Sequence, residues 1–388
     1  MMKFNTYKAF ACVVAVITIS LFSVGNTFAS GETEDTFDAG TMIMHHVTDA
    51  HDIHLMDIGD HPVSIPLPII MYSVENGLSV FSSSAFHHGQ AAVDAGSSEN
   101  GNYFYVLHHE HVYRMRPTNE HFDPTHVTEH DIESMIYTDA SLVGSIKGEA
   151  GSYFDLSITK TATGIFITVL LMFLVFMSVA KAYKRNPNQA PKGLQAIMEP
   201  LILFIKDEVI KPSIGEKHYM RFTPFLLTVF FFIWFANMLG LIPFIGGFNV
   251  TGNIAVTLVL AVFVFIITTV SANKNYWLHI VATPGVPGWL LPLMIPIEIF
   301  GMIIKPGVLC LRLFANITAG HIIILSFMSL IFIFANLYGT GAGYGASLLS
   351  LAFSIFMNLL ELLVAFLQAY VFTLLASLYF GAAVEEHH

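Results

Sequence analysis

Between Phe222 and Val384 the chain carries five charged side chains: Lys274, Glu298, Lys305, Arg312 and Glu361. A water-soluble helical protein lines the outer face of each helix with charge, at helical spacing. Apolar runs this long without that pattern belong in hydrocarbon, where a helix satisfies its own backbone polar groups. The whole chain is 54% hydrophobic and 12% charged, against about 25% charged in ordinary globular domains. The fold class is therefore all-α integral membrane, with a more polar region in front of it.

Five segments can span a bilayer: Ile158–Ala182, Phe222–Ile245, Asn253–Val270, Pro292–Asn336 and Ser347–Phe380. Between the first two, Gly193–Ile210 is amphipathic and reads as one interfacial helix. Lys181, at the very end of the first, and Lys184, Arg185, Lys192, Lys206, Lys211, Lys217 and Arg221 before the second lie on the same side. These are eight of the 17 bases, which marks that side as cytoplasmic. Residues 1–29 have the build of a signal peptide, with Lys3 and Lys8, an apolar stretch Phe10–Val24, and Thr27-Phe28-Ala29 before a polar run. Cleaved or kept as an anchor, it puts residue 30 outside, and five crossings bring the C-terminus to the cytoplasm.

Residues 30–155 read as a small exported domain, acidic and His-rich, with 20 acids and three bases. That charge repels nucleic acid and anionic headgroups alike. Val74-Glu75-Asn76-Gly77-Leu78 between apolar alternations is a hairpin signal, and Tyr103–Met115 also alternates. A few strands are expected, with flexible ends near Ala91–Asn100. His45, His46, His51, His54, His87, His88, His108, His109 and His111 cluster here without a diagnostic ligand spacing, so they read as polar surface rather than a metal site. Cys12 and Cys310 offer no useful disulfide. No cofactor is called for.

Residues 156–388 form the membrane domain, and its last two segments are too long to stand upright. A helix of about 40 residues runs about 60 Å, against a hydrocarbon core of about 30 Å. The pair is expected to lie steeply oblique or to break near Pro306 or Gly320. Charges inside it tend to mark an ion path. Arg312 stays protonated in any protein environment and needs a carboxylate or water. Its partner is either Glu298 or Glu361 of this chain, as a packing pair, or a mobile carboxylate on another subunit. Glu298, Lys305 and Arg312 recur every seven residues, and Asn316 follows Arg312 by four, so they share one broad face. His321, nine residues past Arg312, falls on the opposite face of a straight helix. Glu361 and Gln368 share a face of the final helix, and Lys305 reads as a side chain reaching for headgroups.

Leu311-Arg312-Leu313-Phe314-Ala315-Asn316, continuing Ile317-Thr318-Ala319-Gly320-His321, resembles the signature of the ATP synthase subunit a family. Glu298, Lys305-Pro306, Asn237–Pro243, Glu361, Leu367–Phe372 and the Glu385-Glu386-His387 tail match it in order, over about residues 155–388. The resemblance implies a proton-translocating stator subunit in a bacterial inner membrane. It makes no bond to ATP, and it is partnered by a rotating ring of c subunits, peripheral-stalk b subunits and the rest of the complex. It also implies that Arg312 faces the ring, holding a passing carboxylate ionised. His321 and Glu361 would line an outer half-channel, with Asn316 and Gln368 near Arg312, and Glu298 would belong to a cytoplasmic one. Some members carry Glu where this chain has His321 and His where it has Glu361, an exchange that suggests contact between the two positions. The acidic exported region lies outside the resemblance.

The alternative is a secondary transporter or ion channel with an intramembrane charge pair, which predicts an internal repeat; none is found. A bis-histidine haem protein would need a second histidine deep in a span besides His321.

Overall fold

The computed structural model describes residues 48–58, 61–73, 76–98, 101–108, 110–115, 122–128, 153–185, 190–242, 247–281 and 290–385, with the single residues 40, 43 and 132. The leader at 1–29, His45, His46, His109, Pro243 and the Glu386-His387 tail lie outside the described residues.

Among the described residues five helices are long and apolar enough to cross a membrane, and they fall where the hydrophobic runs put them. They are α1 (Lys160–Arg185), α4 (Tyr219–Gly240), α5 (Ile254–Ser271), α7 (Leu291–Tyr338) and α8 (Thr340–Val384). α4 stops at Gly240, short of the expected Ile245. Pro243, lacking an N–H, disfavours helix at the residue before it. α7 and α8 have 48 and 45 residues and continue unbroken through Pro306 and Gly320. At 1.5 Å per residue they run about 72 and 68 Å. A single residue, Gly339, turns the chain between them at φ +85°, a conformation that favours glycine.

Between α1 and α4 come α2 (Leu194–Phe204), a wider turn at Ile205–Ile210 and α3 (Lys211–Ile214). This is the stretch read as interfacial. One of its apolar sides (Met198, Ile205, Val209, Ile210) is buried in the helix core, while Ile197, Leu203 and Phe204 stay exposed. Two apolar sides explain why the sequence alone gives it a membrane surface as its partner.

Helix packing in lipid relies on close contact rather than on expelling water, so small residues collect at the seams. α8 shows this as a stripe four residues apart: Ala365, Ala369, Thr373, Ser377 and Gly381, all buried. It faces α4 and α3, whose Phe222 ring lies 5.0 Å from that of Phe380. Glu361 is the next position up the same stripe and is also buried.

Among the described residues the polar region forms eight short strands in three small sheets: β1 (Asp52–Ile58), β2 (His61–Pro66), β3 (Pro68–Ser73), β4 (Gly77–Ser82), β5 (Val93–Ser98), β6 (Gly101–His108), β7 (His111–Met115) and β8 (Tyr153–Asp155). β1 pairs with β2, β3 lies between β4 and β8, and β6 lies between β5 and β7. The expected hairpin is present as β3–β4, with Ser73 opposite Gly77, and the alternating stretch Tyr103–Met115 folds as a second one, β6–β7, with His108 opposite His111. The sequence 91–100, expected as a flexible end, instead contains β5. Ala95 enters the core with Ile69, Met71, Phe86 and Tyr105, and its carbonyl accepts from Asn76 Nδ2 at 2.7 Å. These long-range contacts override a Gly- and Ser-rich composition.

The strands are tied to the N-terminal ends of α1 and α5. Ala50 O accepts the N–H of Lys160 at 2.8 Å, and Asp49 Oδ1 accepts that of Thr161 at 2.8 Å. Asp49 Oδ2 accepts from Asn253 Nδ2 at 3.3 Å, and Asn253 itself caps α5 through Ala255 N–H. One carboxylate thus meets two helix N-termini, where partial positive charge favours it. Beneath it Ile53 and Leu67 join Ala236, Leu239, Phe248 and Val250 in one apolar cluster.

A Cβ at Gly381 would collide with the Ser213 carbonyl of α3. Gly381→Val is expected to cost at least about 1–3 kcal/mol through overpacking. Thermal denaturation of the detergent-extracted protein should show a lower midpoint than for Leu359→Val on the exposed face of α8.

Candidate functional site

The site lies along the seam of α7 and α8. Leu309 and Leu313 bury one face of α7, which leaves Arg312 exposed on the other, with its charge reaching Tyr379 of α8. One turn on, Asn316 Nδ2 donates to Oε1 of buried Gln368 at 2.9 Å. Further along, His321 Nδ1 lies 3.9 Å from Glu361 Oε1. Neither Glu361 oxygen has a hydrogen-bond partner among the described residues, though both are buried. A buried carboxylate in that position calls for a proton or a water.

Gly320 makes the arrangement possible. A Cβ there would come within 2.8 Å of Glu361 Oε1, so the carboxyl group occupies space that only glycine leaves free. On the third side α4 passes close by: a Cβ on Gly240 would lie 3.6 Å from His321 Nε2 and 2.9 Å from the Phe248 carbonyl. Asn237 holds α4 in place, donating to Ala365 O at 3.3 Å and accepting from Thr251 Oγ1.

Glu298 stands apart from this group. It lines a cavity of about 270 Å³ with Tyr276, His279 and Lys305. Lys305, read from sequence as a headgroup-seeking side chain, thus shares a wall with Glu298. The six residues singled out from sequence therefore form three groups: Arg312 alone on an exposed face, Asn316–Gln368 beside His321–Glu361, and Glu298 in its own cavity.

A residue that sequence reasoning missed is Lys160, at the start of α1. It is buried at 8% exposure, and the charges reaching it are those of Asp52, Asp49 and Glu110 from the strands. Its own charge reaches His321. A base at the end of α1 opposite the Lys/Arg-rich stretch departs from the usual gathering of bases on one side, and that is the signal that could have singled it out. Next to it His51 Nε2 lies 3.5 Å from Asp155 Oδ2, an ion-pair distance. Burial works against the charged form of His51, but Asp155 outweighs it and holds the imidazole above its ordinary value, with a smaller contribution from Glu110. Burial likewise opposes ionisation of Asp155, and His51 and Ser157 override it to hold the carboxyl below its ordinary value.

The family described as ATP synthase A chain matches residues 163–381, more than half of the chain. The chain belongs to that family. It is similar to the ATP synthase subunit a of Chloroherpeton thalassium, 43% identical over 242 residues that make up 60% of this chain and 69% of that one. It is 47% identical over 236 residues to ATP synthase subunit a 2 of Chlorobaculum tepidum, covering 59% and 64%. With the subunit a of Myxococcus xanthus it shares 41% over 249 residues, covering 63% and 78%. Residues 42–134 match a second family, a domain of unknown function (DUF8433). As a member of the subunit a family the chain is a multi-pass bacterial membrane protein. It is a non-catalytic part of the ATP synthase complex with a proton-translocating stator role.

Two outcomes follow from this geometry. Gly320→Ala pushes the Glu361 carboxyl off its seat, and gradient-driven ATP synthesis in vesicles should fall by on the order of tenfold, the effect of a barrier raised by about 1.4 kcal/mol, with the subunit still assembled. The second concerns the His51–Asp155 tie. The raised histidine value means its contribution is complete below the ordinary 6.5 and is lost as pH rises through the raised value. The lowered aspartate value means its contribution is complete above the ordinary 3.8 and is lost as pH falls through the lowered one. Proteolysis of the strand region in the assembled complex should therefore speed up as pH is taken from about 6 to about 9. His51→Gln should remove that dependence.

Proposed function

We propose that this subunit moves protons through two half-channels kept apart by Arg312. The observation that carries the reading is the order of groups along α7. Glu298 comes 14 residues before Arg312 and His321 nine after, about 21 Å and 14 Å along a helix axis. Titratable groups thus stand on either side of a permanent cation, the arrangement two dead-ended aqueous paths need. His321 and Glu361, with Asn316 and Gln368 between them and Arg312, form the outer path. Glu298 and its cavity form the cytoplasmic one.

The exposed face bearing Arg312 is where the c-ring passes, and Arg312 holds each arriving rotor carboxylate ionised while barring direct leakage. α7 and α8, too long to stand upright and unbroken, lie obliquely along that ring. The bases between α1 and α4 support a cytoplasmic loop there, and hence a periplasmic N-terminal region after a signal peptide at 1–29 and a cytoplasmic C-terminus. In that orientation residues 30–155 form the exported domain and 156–388 the membrane domain. α2 lies at the cytoplasmic surface, its exposed apolar side toward lipid, and the b subunits complete the stator. Each proton crossing 100 mV releases about 2.3 kcal/mol to the rotor.

Arg312→Ala should abolish synthesis by reconstituted vesicles under an imposed gradient while assembly survives. Arg312→Lys should fail as well, since a compact ammonium is more strongly hydrated and lacks the planar fork. Near-normal synthesis in Arg312→Ala would overturn the reading, and near-normal synthesis in the Lys variant alone would reduce the requirement to a point charge.

A further inference from the structure

The strand region has no part in the reading above, yet it is fixed to the helices by groups that carry charge. Asp49 joins the N-termini of α1 and α5. Between those ends and the strands lies Lys160, with an exposure of 8%. An ammonium so enclosed is costly without compensation. The groups facing it are Asp49 and Asp52 from the segment entering β1, Glu110 from the β6–β7 turn, and His321 from α7. The next charged pair outward is His51–Asp155.

We propose that the acidic extension is the outer vestibule of the proton path, in which Lys160, compensated by Asp49, Asp52 and Glu110, sets the electrostatic barrier between outside water and His321. The inference rests on His321 lying in the outer half-channel. Lys160 is a positioning residue: it carries no proton onward but fixes the potential at the place where protons arrive. An enclosed cation near the path opposes the arrival of a proton, and acids around it offset that opposition. Moving any of these charges changes how acidic the outside must be for protons to load. The extension therefore tunes the proton-motive range over which the complex turns.

The test uses the complete complex in vesicles, with the lumen standing for the outer compartment. Initial rates of ATP synthesis are measured against lumen pH at constant membrane potential. Lys160→Gln removes the opposing charge and should move the half-maximal point to higher pH, by on the order of half a unit. Lys160→Arg keeps the charge and should follow the unaltered profile. Asp52→Asn removes compensation and should shift the half-point the other way. Should Lys160→Gln fail to assemble, Asp52→Asn carries the test alone. Unmoved profiles, or equal shifts in the Gln and Arg variants, would overturn the proposal. His321→Ala in the same vesicles separates the two levels: if it runs like the unaltered complex, the half-channel itself is wrong. If it is inactive while the Lys160 and Asp52 profiles stay put, only the vestibule is.

Discussion

A charge held between helices in lipid must meet another charge, a water or a proton, and the membrane part of this chain is organised around that requirement. α7 and α8 bring a histidine and a carboxylate together at 3.9 Å. The carboxylate sits on a stripe otherwise built of Ala, Thr, Ser and Gly. Small residues let the backbones approach, and that approach encloses Glu361 without a hydrogen-bond partner among the described residues. A looser seam would admit water freely and leave nothing for a proton to wait on. Packing and chemistry here are two consequences of one choice of residue size.

The same requirement explains why Arg312 stands apart. The seam is occupied by Asn316–Gln368 and His321–Glu361, while Leu309 and Leu313 fill the protein side of α7. The guanidinium is left to an exposed face, and a group that cannot lose its proton stays costly there until something outside this chain answers it. Under the function proposed above, a moving partner would supply that answer.

Much of this was legible in the sequence, for reasons that can be named. Five charges over the 163 residues from Phe222 to Val384 are so few that spans and breaks between them follow directly. The exchanged positions of His321 and Glu361 pointed to their contact. The surroundings of Lys160 were not legible, because Asp49, Asp52 and Glu110 lie from 50 to 111 positions earlier and are gathered by strand pairing. Gly320 stood with Pro306 as a place for a break, the alternative to an oblique pair, because intrinsic preference argues that way, whereas the space it leaves holds a carboxyl group. Strand β5 was hidden by Gly and Ser, whose composition says loop while Ala95 and Asn76 say core.

The central claim is that His321 and Glu361 act as one pair in one half-channel, and exchanging them tests it most directly. His321→Glu alone sets two carboxyl groups together, and Glu361→His alone sets two imidazoles together. Each changes the charge of a pair that titrates jointly. The double exchange restores one of each. Gradient-driven ATP synthesis should fall sharply in both single variants and recover substantially in the double, with all three assembled. A double variant no better than the worse single would mean that the two positions act independently, and the shared half-channel would have to be given up.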